Sequence, residues 1–193
     1  MVELIKRHKW WLFGIILLGG LIGFVEHWNR SREHRHDEAI FAAAAKYAVD
    51  PALVKAVVWQ ESRFDAGANG RSGEIGLMQI MKATAEDWAG FEGNKTFRPS
   101  QLYDPLENVQ CGAWYLKRLL RRYRDTDAPM VYALAAYNAG PTTITKWTSG
   151  AGATNSAEFF KQMDYPGTRK YIRSVIKRYH YYQQQFASRG KTA

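Results

Sequence analysis

Glu61 is the residue whose type and position most directly suggest chemistry. Asp50-Pro51 pairs an N-cap residue with proline at the first helical position, so a helix opens there and runs to about Ser62. Leu53, Val57 and Glu61 are spaced by four and share one face of that helix, so the carboxyl continues an apolar stripe, with Phe64 just beyond. A helix C-terminus also disfavours negative charge. Desolvation and dipole together favour the protonated acid, and a carboxylic acid kept neutral near physiological pH can protonate a leaving oxygen. A solvated glutamate at a frayed helix end fits the same pattern, and position alone leaves both readings open.

The elements around this helix also read as α. An alanine-rich run over residues 40–48 follows Asp37, a plausible cap. Gly67, Asn69, Gly70 and Gly73 mark a loop after Glu61. A shorter helix is expected over residues 83–89, and Asp104-Pro105 opens a long one reaching about Arg124. Residues 130–137 form another, stopped near Gly140-Pro141. Tyr171, Ile172, Val175, Ile176 and Tyr179 recur at helical spacing within a final segment over residues 168–186. No alternating strand run and no internal repeat stands out, so the fold class is mainly α.

The chain has 193 residues, room for one compact domain and an appendage. With 46% hydrophobic residues it can fill a core, which excludes a disordered or collagen-like chain. Its single cysteine, Cys111, rules out a disulfide framework or a cysteine zinc cluster. Lys+Arg 27 against Asp+Glu 18 gives a net charge of +9, suited to a polyanionic neighbour such as nucleic acid, anionic lipid or an acidic wall polymer.

Lys6, Arg7 and Lys9 precede an uncharged stretch over residues 10–25, and Trp10, Trp11 and Trp28 flank it. Counted to Trp28 it approaches the length of a membrane span with an aromatic belt at each end. No A-x-A pattern follows, so residues 10–28 are expected to be an uncleaved signal anchor behind a basic segment at 1–9. The domain that follows then lies outside the cytoplasm. Gly19-x-x-x-Gly23 is a small-residue pair of the kind that supports helix contact in membranes, and it is common in any span. Residues 29–37 read as a polar linker, residues 38–186 as the domain and residues 187–193 as a polar tail. His34-x-His36 lacks further ligands at a metal-site spacing, so no metal is expected. The basic stretches over residues 117–124 and 169–178 read as solvated helix faces, and with a membrane anchor nucleic acid is not expected as a partner.

Three motifs occur in order: Glu61-Ser62-Arg63-Phe64, Gly76-Leu77-Met78-Gln79-Ile80-Met81, and Ala136-Tyr137-Asn138-Ala139-Gly140. Ala83-Thr84-Ala85, the Asp104-Pro105…Asn108…Gly112…Tyr115-Leu116 helix and Thr168-Arg169-Lys170-Tyr171-Ile172 accompany them. Each is weak alone, but their order and spacing are specific. Over roughly residues 38–182 the chain resembles the soluble-lytic-transglycosylase-like family of peptidoglycan lyases, which has a goose-lysozyme-like catalytic domain. The resemblance implies a lysozyme-like fold with Glu61 as acid and then base. It further implies that Met78, Gln79, Tyr137, Asn138 and Tyr171 line the substrate cleft and that Ser62 supports the helix end.

The reaction so implied cleaves the β-1,4 bond between N-acetylmuramic acid and N-acetylglucosamine and leaves a 1,6-anhydro end. It needs no metal or organic cofactor. A lysozyme-like hydrolase would instead need a second acid, for which Asp65 or Glu74 stands near in sequence. A non-catalytic wall-binding or assembly protein is a third reading. An anchored enzyme of this kind would serve general wall turnover or an envelope-spanning assembly. The chain departs from the family in places. Gly70 stands where a serine is usual, with Ser72 two positions on as its possible substitute; Glu74 stands where a small residue is common, and Lys82 for a frequent proline. The late segment reads Pro-Gly-Thr-Arg rather than Glu-Thr-Arg.

Overall fold

The computed structural model describes residues 2–189, with side chains described for residue 11 and residues 14–188. The chain folds as two compact units, one ending at His36 and one starting at Asp37. The first is a single helix, α1 (Val2–His34). The polar stretch expected as a linker is therefore helical as far as His34, because Arg, Glu and His without glycine or proline carry a helix forward readily. Ile15, Ile16, Leu17, Leu18, Leu21, Ile22 and Phe24 on α1 are exposed. Among the described residues no helix is long and apolar enough to cross a membrane. Trp10, Leu12 and Phe13, which open the expected span, lie outside the residues whose side chains are described.

The second unit contains α2 (Asp37–Tyr47), α3 (Pro51–Ser62), α4 (Lys82–Phe91), α5 (Pro105–Arg122), α6 (Pro129–Ala139), α7 (Ser156–Gln162) and α8 (Pro166–Arg189). Short 3₁₀ turns at Pro99–Tyr103, Thr143–Lys146 and Gly150–Ala153 join them. The domain is mainly α; among the described residues only isolated bridges, Asn69 to Ile75 and Ile75 to Ile80, interrupt that pattern.

The Asp-Pro signals act as their chemistry requires. Asp50 accepts from the Ala52 N–H at 2.8 Å, and Asp104 from Leu106 and Glu107 at 2.9 and 3.0 Å, each before proline at the first helical position. Helix α7 lies outside the sequence expectation. Its signal is Asn155, whose side chain accepts from Ala157 and Glu158, but seven residues are too few for a helical period to show.

Helix α3 is the axis of the domain. Ala52 to Val58 are buried all round it, and it packs on α8. Its Lys55 is fully buried, pairs with Asp37 of α2 and lies over the rings of Phe64, Tyr182 and Phe186. A buried ammonium persists only with such partners, so α2 and α8 are tied to α3 around one charge. Helix α5 packs on α2 and α6. It buries Val109, Gly112, Ala113, Leu116 and Leu119, while Arg118, Arg121 and Arg122 face solvent. The basic run there is a solvated face, as its spacing predicts.

Candidate active site

Helix α3 ends at Arg63, which adopts left-handed φ/ψ of 53° and 39° and returns its N–H to the Trp59 carbonyl. Phe64 follows with φ 65°. Two consecutive non-glycine residues at positive φ reverse the chain abruptly, and such strain persists only where surrounding contacts enforce it. The Arg63 guanidinium stacks on Trp59, with its central carbon 3.3 Å from the ring centroid, and Phe64 is buried. The turn leaves Glu61 at the helix end, facing the loop that follows.

That loop, over residues 65–81, is pinned by Asn108 of α5. Asn108 is fully buried; its Nδ2 donates to the Ile75 and Leu102 carbonyls, and its Oδ1 accepts from the Met78 N–H, each at 2.8 Å. The same place needs glycine at position 76, where φ is 76° and an added Cβ would meet Asn108 Nδ2 at 2.3 Å. From the other side, Ser62 Oγ donates to the Leu77 carbonyl at 2.8 Å. Tyr137 of α6 donates its hydroxyl to the Met78 carbonyl at 2.9 Å.

A groove of about 630 Å³ runs between this loop, α3, α5 and α6. Glu61, Ser72, Gln79, Tyr137 and Asn138 line it, together with Gly70, Glu74 and Tyr115. Tyr171 of α8 donates its hydroxyl to Glu61 Oε1 at 2.5 Å. Burial raises the Glu61 carboxyl from its ordinary 4.5 to about 7, the Tyr171 hydrogen bond pulls it down and the nearby Glu74 charge pushes it up. The Tyr171 and Tyr137 phenols are held well above their ordinary range, chiefly by burial and then by the Glu61 charge. Both therefore stay neutral donors. Such a carboxyl can release a proton to a leaving group and afterwards take one back.

The expected site residues fall into distinct places. Glu61, Gln79, Tyr137 and Asn138 meet at the groove. Tyr171 reaches Glu61 from behind and lines a second cavity of about 840 Å³, which shares Asn138 and Ala139 with the groove. Asn138 Oδ1 accepts from Thr168 Oγ1 at 2.9 Å. Gln79, at φ 48°, uses Nε2 to close its own loop on Gly76 O at 2.9 Å and Ala68 O at 3.3 Å. Met78 does not fit a side-chain contact with substrate: it is fully buried, and a Cβ added to Gly112 would touch its sulfur. Only its carbonyl serves the site, through Tyr137. Ser62 ties the helix end to the loop. Ser72 lines the groove and donates its N–H to Glu74 Oε2 at 2.9 Å. Asp65 is turned away, accepting from the Gly67 N–H at 3.0 Å, and is not part of the groove wall. In the sequence Asn108 stands out only as one motif position on a helix. Its signal was an amide beside small Gly112 on the inward face of α5, which a one-dimensional pattern cannot connect to a loop thirty residues away.

The family model of the transglycosylase SLT domain matches residues 38–160. The soluble lytic murein transglycosylase of Salmonella typhimurium is 29% identical over 137 residues, which cover 70% of this chain and 21% of that protein. The membrane-bound lytic murein transglycosylase C of Edwardsiella ictaluri is 31% identical over 121 residues, covering 60% of this chain and 34% of that one. An X-ray structure of the lytic transglycosylase Slt from Pseudomonas aeruginosa, an inactive mutant, superposes with a TM-score of 0.72 at 26% identity. It covers 80% of this chain and 25% of that one. The chain thus spans about one fifth to one third of the length of these two curated relatives. Since the matched segment carries Glu61, Gln79, Tyr137 and Asn138 and fills most of the second unit, the chain belongs to the transglycosylase SLT domain family.

Proposed function

We propose that this chain is a peptidoglycan lytic transglycosylase acting on the β-1,4 bond between N-acetylmuramic acid and N-acetylglucosamine. The observation that carries this reading is one desolvated carboxyl, Glu61, set at a groove and held by the Tyr171 hydroxyl at 2.5 Å. Glu61 as neutral acid protonates the glycosidic oxygen, and the bond to the muramoyl anomeric carbon breaks. The substrate's own N-acetyl group supports the cationic centre. Glu61, now a carboxylate, takes the proton from the muramoyl 6-hydroxyl as that oxygen closes on the anomeric carbon. No water is consumed and Glu61 returns to its starting form. Tyr171 and Tyr137, neutral throughout, fix the carboxyl and the groove wall opposite it.

The glycan runs through the groove and past Asn138 into the second cavity, whose wall carries Arg63 and Lys170 and no acidic side chain. Those cations suit the carboxylates of a peptide-bearing strand. Residues 10–28 anchor the chain in the cytoplasmic membrane with the domain on the outer side. The run of exposed aliphatic side chains on α1 and the membrane-bound relative support this placement.

Mass spectrometry of fragments released from purified sacculi tests the reaction. The full chain is expected to release muropeptides one water lighter than reducing-end products, and Glu61→Gln to lower their yield by at least about 100-fold. Reducing-end products would make the chain a hydrolase and point to Glu74 as the second acid. Equal product from Glu61→Gln would sink the assignment of Glu61. Binding of sacculi without release, by chain and variant alike, would make it a wall-binding protein.

A further inference from the structure

A glycine and a carboxylate share one volume on the groove wall. A Cβ placed on Gly70 would lie 2.1 Å from Glu74 Oε2 and 2.9 Å from Gln79 Oε1, closer than real side chains approach. The Glu74 carboxylate therefore fills the space that a side chain at position 70 would take. The arrangement is tied in place: the Gly70 N–H donates to the Glu74 carbonyl at 2.8 Å, and the Ser72 N–H to Glu74 Oε2 at 2.9 Å. Gly73, at φ 92°, makes the tight turn between them. The family resemblance leads one to expect a serine at 70 and a small residue at 74. Here the bulk sits at 74 and the space at 70, so the two departures are one exchange.

We infer that Glu74 is a positioning residue of this groove, interlocked with Gly70 and acting through space on the Glu61 carboxyl. The inference rests on the lytic transglycosylase reading. Tyr171 from α8 donates to Glu61, and Tyr137 from α6 and Tyr115 from α5 line the same groove as neutral phenols. From the loop come Arg71 and Glu74, the other charged residues of the groove wall. Glu74 adds a like charge beside an already desolvated acid, and that charge favours the proton on Glu61. For a residue that serves as acid and then as base, the raised pKa trades some donor strength for protonated population and base strength. More of it is protonated before the bond breaks, and the carboxylate left behind is a stronger base.

Two readouts on the full chain test this. The first is titration of the Glu61 carboxyl carbon by NMR beside the pH profile of anhydro-muropeptide release. Glu74→Gln keeps the volume and an acceptor for the Ser72 N–H but removes the charge. It is expected to move the Glu61 midpoint and the alkaline limb to lower pH, so that release at pH 8 falls a few-fold relative to pH 6. Glu74→Asp keeps the charge and should restore most of the midpoint. Tyr171→Phe removes the bond that favours the ionised form and should move the midpoint the opposite way. The second readout is the interlock: Gly70→Ser alone should displace the Glu74 carboxylate and lower the melting temperature, and Gly70→Ser with Glu74→Ala should recover the melting temperature. A Glu61 midpoint unmoved or raised in Glu74→Gln overturns the electrostatic role, and a double variant no better than Gly70→Ser overturns the interlock. The NMR and melting readouts need no turnover. Absence of anhydro products from the unaltered chain would therefore count against the transglycosylase reading and leave this inference to be judged by its own data.

Discussion

A carboxyl that must give a proton and then recover it works best with a pKa near the working pH, and burial is the largest force that brings Glu61 there. The same burial has a thermodynamic signature. The native state holds the Glu61 proton to about pH 7, whereas an unfolded chain loses it near 4.5. Between those values the unfolded state is the more ionised, so this group's contribution to stability falls as pH rises through the window and is flat above it. The full difference is on the order of 3 kcal/mol. Glu61→Gln cannot ionise and keeps an oxygen to accept from Tyr171. Its melting temperature should match the parent's near pH 4, overtake it between pH 4.5 and 7, and keep a constant lead above pH 7. Thermal melts across pH check this, and a lead independent of pH would show that Glu61 is not desolvated as the geometry requires.

At the scale of elements, the site is a helix end, a loop and a pin. The Asp-Pro caps, the apolar stripe on α3 and the tyrosine spacing on α8 are local features, so α3, α5 and α8 and the placement of Glu61 at a helix end were legible in the sequence. What a local pattern cannot carry is which distant groups meet. Nothing in the spacing of residues 63 and 64 announces two left-handed residues in succession. Met78 sits in a motif that reads as cleft lining, yet its side chain faces Gly112, because the Asn108 pin turns the loop inward. Asn108→Ala leaves the Leu102 carbonyl and the Met78 N–H without partners in a buried place, and the Ile75 carbonyl with only the Ile80 N–H, a loss of about 2–4 kcal/mol. The loop carrying Gln79 and the Tyr137 acceptor is then released. Chemical denaturation should show that loss, and anhydro-muropeptide release should fall more steeply than the folded fraction does. Activity that merely follows the folded fraction would reduce Asn108 to a core residue.

For the molecule as a whole, the proposed placement at a membrane would rest on two forces that can be separated. One is the net charge of +9, which attracts any anionic surface and is screened by salt over about 10 Å at 0.1 M. The other is the apolar run on α1, where Ile15 to Phe24 present aliphatic and aromatic side chains outward. Adsorption by charge requires anionic lipid and ends in high salt. Insertion of the helix depends on neither, because its driving force is the burial of apolar surface in hydrocarbon. The full chain reconstituted with purely zwitterionic vesicles should therefore float with them after washes in 1 M salt and alkaline carbonate. Leu17→Lys with Leu21→Lys places two charges at the middle of the run, each opposed by about 3 kcal/mol. That variant should stay behind in zwitterionic vesicles while still adsorbing to anionic ones at low salt. A full chain that leaves zwitterionic vesicles in the first salt wash would show that charge alone holds it at the surface, and the anchor would have to be abandoned.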